Sequence, residues 1–376
     1  MQNSKSFKIS DVRSRSSSAR LWIGFILTGL TLIVGSTAGR LFLFASTPAQ
    51  SQLPPNTENS ILEIRKGESP AEITRDLAKI GSITDRGSFI LVGRLTRQWK
   101  HIKAGEYEVS ATQSPLEIFK VITSGVSVVH RITVREGENM YEIAKAIEQE
   151  KLGISDKFLN LCRDPKFIQS LGLPLPPSGT LEGYLYPETY FFNRSLTLED
   201  MIRQMVRKFQ TVWTPEYEAR AKALGLNPYQ TLTLASVIEK ETGAPQERPM
   251  VSSVFHNRLK KGMRLQSDPT TIYGIWTRYR GNLHRSDLVE ATPWNTYAIP
   301  RLPLGPISNP GKESLEAALH PIDSPYLFFV SHNDGTHEFT ANLSDHNKAV
   351  RKFQIDPKAR DGKSWRDLNK KDSGTF

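Results

Sequence analysis

The apolar positions of this chain change period several times, and each change marks an element. From Leu21 to Gly39 the run LWIGFILTGLTLIVGSTAG carries no charge, and LFLFA follows Arg40. A bilayer is spanned by about 20 apolar residues, so residues 21–45 predict a single N-terminal transmembrane helix. Thr47-Pro48-Ala49 would suit signal cleavage. However, signal h-regions run to about 7–15 residues, which favours an uncleaved anchor. Residues 46–60, STPAQSQLPPNTENS, lack any apolar period and read as a linker.

From Ile61 strand and helix periods alternate, and one unit occurs twice. Ile61-Leu62-Glu63-Ile64-Arg65-Lys66-Gly67-Glu68 reads as strand and Gly turn, and SPAEITRDLAKIG as an amphipathic helix. Ile132-Thr133-Val134-Arg135-Glu136-Gly137-Glu138 and NMYEIAKAIEQE repeat the pattern, with Gly67, Glu68, Ile73 and Leu77 in register with Gly137, Glu138, Ile143 and Ile147. Between them, residues 102–109 read as a strand and SPLEIFKVITSG as a helix. This grammar looks like the LysM-type modules that bind N-acetylglucosamine polymers; a small α/β spacer accounts for it equally well.

A helix-rich connector over 151–178 leads to LEGYLYPETYFF, whose Tyr184, Tyr186, Tyr190, Phe191 and Phe192 could stack on sugar rings or fill a core at strand positions. Helices follow over 198–209 and 216–224. The next helix, NPYQTLTLASVIEKETG, has Asn227 as N-cap, Pro228 at its first position, Gln230 closing a capping box, and Gly243 to end it in the left-handed conformation. Leu232, Leu234, Ala235 and Ile238 share one face, and Glu239 projects into that arc. A carboxyl held against aliphatic groups keeps its proton near neutral pH and suits a general acid. A carboxylate paired with a buried cation fits the same position. Residues 249–259 predict another helix, 326–340 a β-hairpin around Asn333-Asp334-Gly335, and IPRLPLGPISNPG a rigid loop. The pattern as a whole is α+β.

Composition excludes more than it selects. The formal charge is +10, with Lys5, Lys8, Arg13, Arg15 and Arg20 against Asp11 ahead of the apolar run. That asymmetry places residues 1–20 in the cytoplasm and the rest outside the membrane. The remaining charge is too diffuse for nucleic acid, and no nucleic-acid motif is present. Cys162 is the single cysteine, so there is no intrachain disulfide and no thiolate cluster, and it is read as a buried hydrophobe. His320, His332, His337 and His346 lack metal-ligand spacing. Gly305–Lys312 fails as a P-loop, because five residues separate its glycines and Glu313 stands where Ser or Thr belongs.

The segments LEGYLYPETYFF, ASVIEKET, ERPMVSSVFHNRL, MRLQSDPTTIYG, NTYAIPRLPLGPISNPG and HEFTANLSDHNKAV together resemble those of the YceG-like family, the endolytic murein transglycosylases. The resemblance implies a LysM-like module over 61–178, a mixed α+β YceG-type catalytic domain over 179–350 and a polar tail over 351–376. It implies a lyase at the cytoplasmic membrane that cleaves the MurNAc–GlcNAc β-1,4 bond of nascent peptidoglycan strands. The products carry 1,6-anhydro-MurNAc ends, and the cut terminates glycan polymerisation near membrane-bound synthases. The implied catalytic residue is the first Glu of EKET, Glu239, with no metal or organic cofactor. Candidate substrate contacts are Gln266, Asp268, Thr270, Tyr273, Asn295 and Tyr297, with Tyr186 and Glu188 from the aromatic segment. Two other functions remain open: a hydrolytic muramidase using Glu241, Asp268 or Glu188 as second carboxylate, and a non-catalytic glycan-binding scaffold of the cell-wall synthesis machinery.

Overall fold

The computed structural model describes residues 13–51 and 59–356. Residues 1–12, 52–58 and 357–376 lie outside the described residues, and with them most of the expected basic segment and tail and the middle of the expected linker. Helix α1 (Arg13–Ser46) contains Trp22–Ser46, which among the described residues is the one helix long and apolar enough to cross a membrane. The chain divides into two compact units. One holds the residues up to Val129 with Asn193–Ser195; the other holds His130–Phe192 and the chain from Leu196 onward.

In the first unit, β1 (Ser60–Ile64) pairs antiparallel with β2 (Gly105–Val109), Leu62 opposite Tyr107. Around them lie α2 (Pro70–Lys79), α3 (Arg86–Leu95), a 3-10 turn at Gln98–Lys100, and α4 (Pro115–Ser124). Ser69 with Glu72 and Ser114 with Glu117 close capping boxes, each satisfying two orphan amides at a helix start. The core packs Leu62, Ile64, Leu77, Phe89, Tyr107, Phe119 and Ile122.

The second unit begins with β3 (His130–Thr133) and α5 (Met140–Gln149), the second copy of the strand–Gly–helix pattern. Both copies turn through a left-handed glycine, Gly67 at φ +83° and Gly137 at φ +79°. In each, the following glutamate accepts the amide three residues back, Arg65 to Glu68 at 2.8 Å and Arg135 to Glu138 at 3.2 Å. The local repeat is therefore real, and its two copies fall in different compact units. Strand β3 pairs with β4 (Thr189–Phe192), Ile132 opposite Tyr190, and packs into the second unit's core. The partners of β3 lie 56 to 62 residues downstream and not on β1, and the boundary between the two compact units falls near residue 130.

The same unit continues with α6 (Ser155–Leu161), α7 (Pro165–Ser170), α8 (Leu198–Val212), α9 (Pro215–Ala223), α10 (Pro228–Glu241) and α11 (Arg248–Lys260). After these come α12 (Asp268–Gly274), α13 (Arg285–Val289), α14 (Lys312–Leu319) and the antiparallel hairpin of β5 (Phe328–Ser331) and β6 (His337–Thr340). Helix α15 (Leu343–Val350) follows.

Helix α10 is the axis of this unit, packed by α9, α11, α12 and α14. Asn227 and Gln230 form the expected capping box. Two expectations change. Every residue from Thr231 to Ile238 is buried, so the helix is enclosed all round rather than amphipathic. The loop over 305–309 covers what would have been its polar side: Ser236 Oγ accepts the Ile307 amide at 3.0 Å, and Ser308 Oγ donates to the Ser236 carbonyl at 3.2 Å. The helix ends at Thr242 in extended conformation, and Gly243 is not left-handed. Gly243 is needed for close approach instead, since a Cβ there would lie 2.8 Å from the carbonyl oxygen of Gly335 at the hairpin tip.

Candidate active site

The last turn of α10 carries two glutamates, Glu239 and Glu241. Two residues along a helix is about 200° of rotation, so they face different surroundings. Glu239 is enclosed, its side chain 6% exposed. One oxygen accepts Arg248 Nη2 at 3.3 Å and the other accepts the Gly311 amide at 3.0 Å. Arg248, near the start of α11, also meets Glu136 at 3.7 Å and Glu313 through its other terminal nitrogen. Burial, then the charge of Glu239, raises the Glu136 carboxyl above the usual range, while Arg248 opposes the rise. The turn at Gly137 lies over this cluster, where Lys240 Nζ donates to the Gly137 carbonyl at 3.1 Å. Glu239 thus meets a guanidinium and a backbone amide, and not the wholly aliphatic surroundings that its helical position predicted. Its partners are donors from sequence positions 9 and 72 residues away, the kind of contact an ionised carboxylate makes.

The environment expected of Glu239 surrounds Glu241. This residue opens onto a cavity of about 420 Å³ lined by Arg258, Gln266, Asp268, Tyr297, Phe328, Phe329, Leu343, His346 and Asn347. The volume falls within the roughly 300–1,000 Å³ of small-molecule sites. Burial pushes the Glu241 carboxyl up to about 7; the Asp268 charge adds to this, while the Ser267 hydroxyl and Arg258 pull the other way. Asp268 is oriented by the Tyr297 hydroxyl, which donates to it at 2.7 Å. Arg258 is fixed by the carbonyls of Leu327 and Leu265, each at 2.6 Å, and lies over the Phe328 ring at 5.3 Å. Gln266 is held at φ +49°, a backbone region costly to a residue with a side chain and concentrated at functional sites. Two acids, a cation, amide and hydroxyl groups and the rings of Tyr297, Phe328 and Phe329 thus converge on one opening.

Of the sequence-derived candidates, Gln266, Asp268 and Tyr297 line this cavity. Thr270, Asn295 and Tyr273 do not reach it; they are buried and saturated within the protein. Thr270 bonds Ser267 and Thr296, and Asn295 donates to the carbonyls of Asp287, Leu288 and Glu290 while accepting the Tyr297 amide at 2.9 Å. They hold the cavity-lining segments in place. Tyr273 donates at 2.9 Å to Glu182, a fully buried acid that burial pushes up to about 7 although both its oxygens accept the Met140 amide. Tyr186 is buried in the core, and Glu188 is exposed and paired with Lys208 at 3.0 Å. The aromatic segment is mostly core, with Tyr184, Tyr190 and Phe192 also buried. Cys162 is fully buried with its thiol pushed up.

Sequence reasoning missed Glu136, Arg248, Arg258, Glu182 and the hairpin rings Phe328 and Phe329. The ERPM and FHNRL segments held the two arginines in plain view, but nothing in their spacing assigns one to each glutamate.

Residues 62–352 match the model of the YceG-like family, and the chain belongs to that family. A protein of Bacillus subtilis named endolytic murein transglycosylase is 36% identical over 264 residues, 67% of this chain and 73% of that one. A Streptococcus pneumoniae protein of the same name is 28% identical over 316 residues, 76% of this chain; this chain spans 57% of its length. A crystal structure of a yceG-like protein from Listeria monocytogenes superposes with a TM-score of 0.55 at 32% identity, covering 78% of this chain and all of that one.

Proposed function

We propose that this protein is a membrane-anchored endolytic peptidoglycan lytic transglycosylase in which Glu241, rather than the Glu239 that the family resemblance implies, is the single acid and base. The observation carrying this reading is the coincidence of a carboxyl raised to about 7 with an open cavity lined by Gln266, Asp268 and Tyr297. Protonated Glu241 gives its proton to the glycosidic oxygen as the bond from C1 of MurNAc breaks and positive charge develops on the ring. The carboxylate so formed, beside Arg258, takes the proton of the C6 hydroxyl while that oxygen closes on C1. Glu241 ends protonated, no water is consumed, and the product is a 1,6-anhydro end. Phe328, Phe329 and Tyr297 offer faces for sugar rings, and Gln266 and Asp268 accept or donate to their hydroxyls.

Supporting the setting, α1 provides an anchor, and the cationic flank Lys5, Lys8, Arg13, Arg15 and Arg20 favours a cytoplasmic N-terminus with the catalytic unit outside. The first unit, with its β1–α2 groove, is the glycan-holding, LysM-like part of this proposal, and cutting nascent strands beside membrane-bound synthases is its role as terminator. A hydrolytic reading is favoured by one observation, that Asp268 shares the cavity and could serve as base for a water. Mass spectrometry of products from un-crosslinked glycan strands separates the two: anhydro-MurNAc ends are expected, and reducing MurNAc ends would transfer the assignment to hydrolysis.

A further inference from the structure

The first unit carries a cationic surface that neither its core nor its groove uses. On α3, Leu91, Arg94 and Leu95 stand at i, i+3 and i+4 and so share one face. All three are exposed, Leu95 at 66%. The surface continues through exposed Arg97, Lys100, His101 and Lys103. Between Arg86 and Lys103 there is no Asp or Glu. The groove along β1 and α2 differs, since there Glu63, Glu68, Glu72 and Asp76 alternate with Arg65, Lys66, Arg75 and Lys79.

The cationic surface rests on a rigid base. Phe89 stacks on Phe119 at 4.3 Å, Trp99 meets Phe119 edge-on at 5.3 Å, and Trp99 Nε1 donates to the Ile90 carbonyl at 3.1 Å. A pair of exposed leucines is ordinary by itself. Its position is not, because α1 packs directly on α3 and α4, with Leu41, Phe44 and Ala45 against the same core. If α1 spans a bilayer, a surface on the unit that packs against its C-terminal end would stand near the headgroups.

We propose that the Leu91–Lys103 surface docks onto anionic lipid headgroups of the bilayer that α1 spans. Arg94, Arg97 and Lys100 meet the phosphates, and Leu91 and Leu95 enter the interface. This holds the first unit flat against the membrane. It rests on the anchor reading, which the test checks separately.

The full-length chain is placed in nanodiscs of phosphatidylcholine alone or mixed with phosphatidylglycerol, and amide exchange is followed over residues 88–103. Exchange is expected to slow by about tenfold or more only with phosphatidylglycerol, and the R94E/R97E/K100E variant is expected to lose that slowing. Amides of β1 and β2 report folding of the variant in the same run, and R94Q and K100Q singly should give graded losses. Equal exchange in both disc types, or slowing that survives charge reversal, overturns the docking while leaving the anchor intact. A chain that does not stay with either disc overturns the anchor and the docking together.

Discussion

Glu239 and Glu241 share a helix turn and a residue type, yet their surroundings differ, and in the proposed mechanism only Glu241 exchanges protons with substrate. Around Glu239 one guanidinium is shared by three carboxylates, and a backbone amide takes the second oxygen. That arrangement fixes three segments, the β3–α5 turn, α10 and the start of α14, to one point. Around Glu241 burial dominates and the cation is the weaker influence, so a proton is retained where a ligand can enter. A carboxylate tied down by donors is a fastener, whereas one left desolvated beside an opening is a reagent.

The sharpest way to break this comparison is to neutralise each acid in turn. Glu241→Gln should lower kcat by about 10²–10⁴-fold, the usual worth of a positioned proton donor. Glu239→Gln should leave strand cleavage measurable, and equal losses from both would end the distinction. Because the acid must be protonated, kcat should fall as pH rises through about 7. Folded Glu241 also binds a proton over a pH range where an unfolded glutamate, near 4.3, has lost it. The folded state then holds more protons, so stability falls between those values, and thermal melts of Glu241→Gln should lack that contribution.

Next in size, Arg248→Ala should destabilise by about 3–5 kcal/mol in denaturant titration, since it strands buried Glu239 without its cation. Asn295→Ala leaves several carbonyls unpaired and should cost about 1–3 kcal/mol, again in denaturant titration. The smallest effect is expected for Tyr297→Phe, which frees Asp268 to rotate. A rise in KM of about tenfold or less in a strand-cleavage assay would fit the loss of one orienting hydrogen bond.

What could be read from the chain were the features that local chemistry dictates. The apolar run of α1, the Asn227 and Gln230 capping box and the turn preceding β6 depend only on neighbours in sequence. The repeat was legible too, since Gly67 and Gly137 both need positive φ. Its packing was not, because β3 finds its partner at residues 189–192. The same limit governs the site. The arc containing Glu239 pointed to an acid near α10, but which glutamate is tied to a cation and an amide depends on Arg248 and Gly311, brought close only by folding. Asn295 and Thr270 looked available for substrate because their polar groups are visible in sequence, whereas the carbonyls that occupy them are not. Gly243 was read from its place after a helix, while its reason lies across space at Gly335.

That last contact ties reagent to wall. The hairpin tip lies so close to Gly243, two places beyond Glu241, that a side chain there would meet it, and the same hairpin supplies Phe328 and Phe329 to the opening. In the proposed mechanism a sugar stacked on those rings would bear on the hairpin whose tip lies close to the end of α10. Aim and grip are set by one joint, so wedging it with even a methyl group at residue 243 should misalign both.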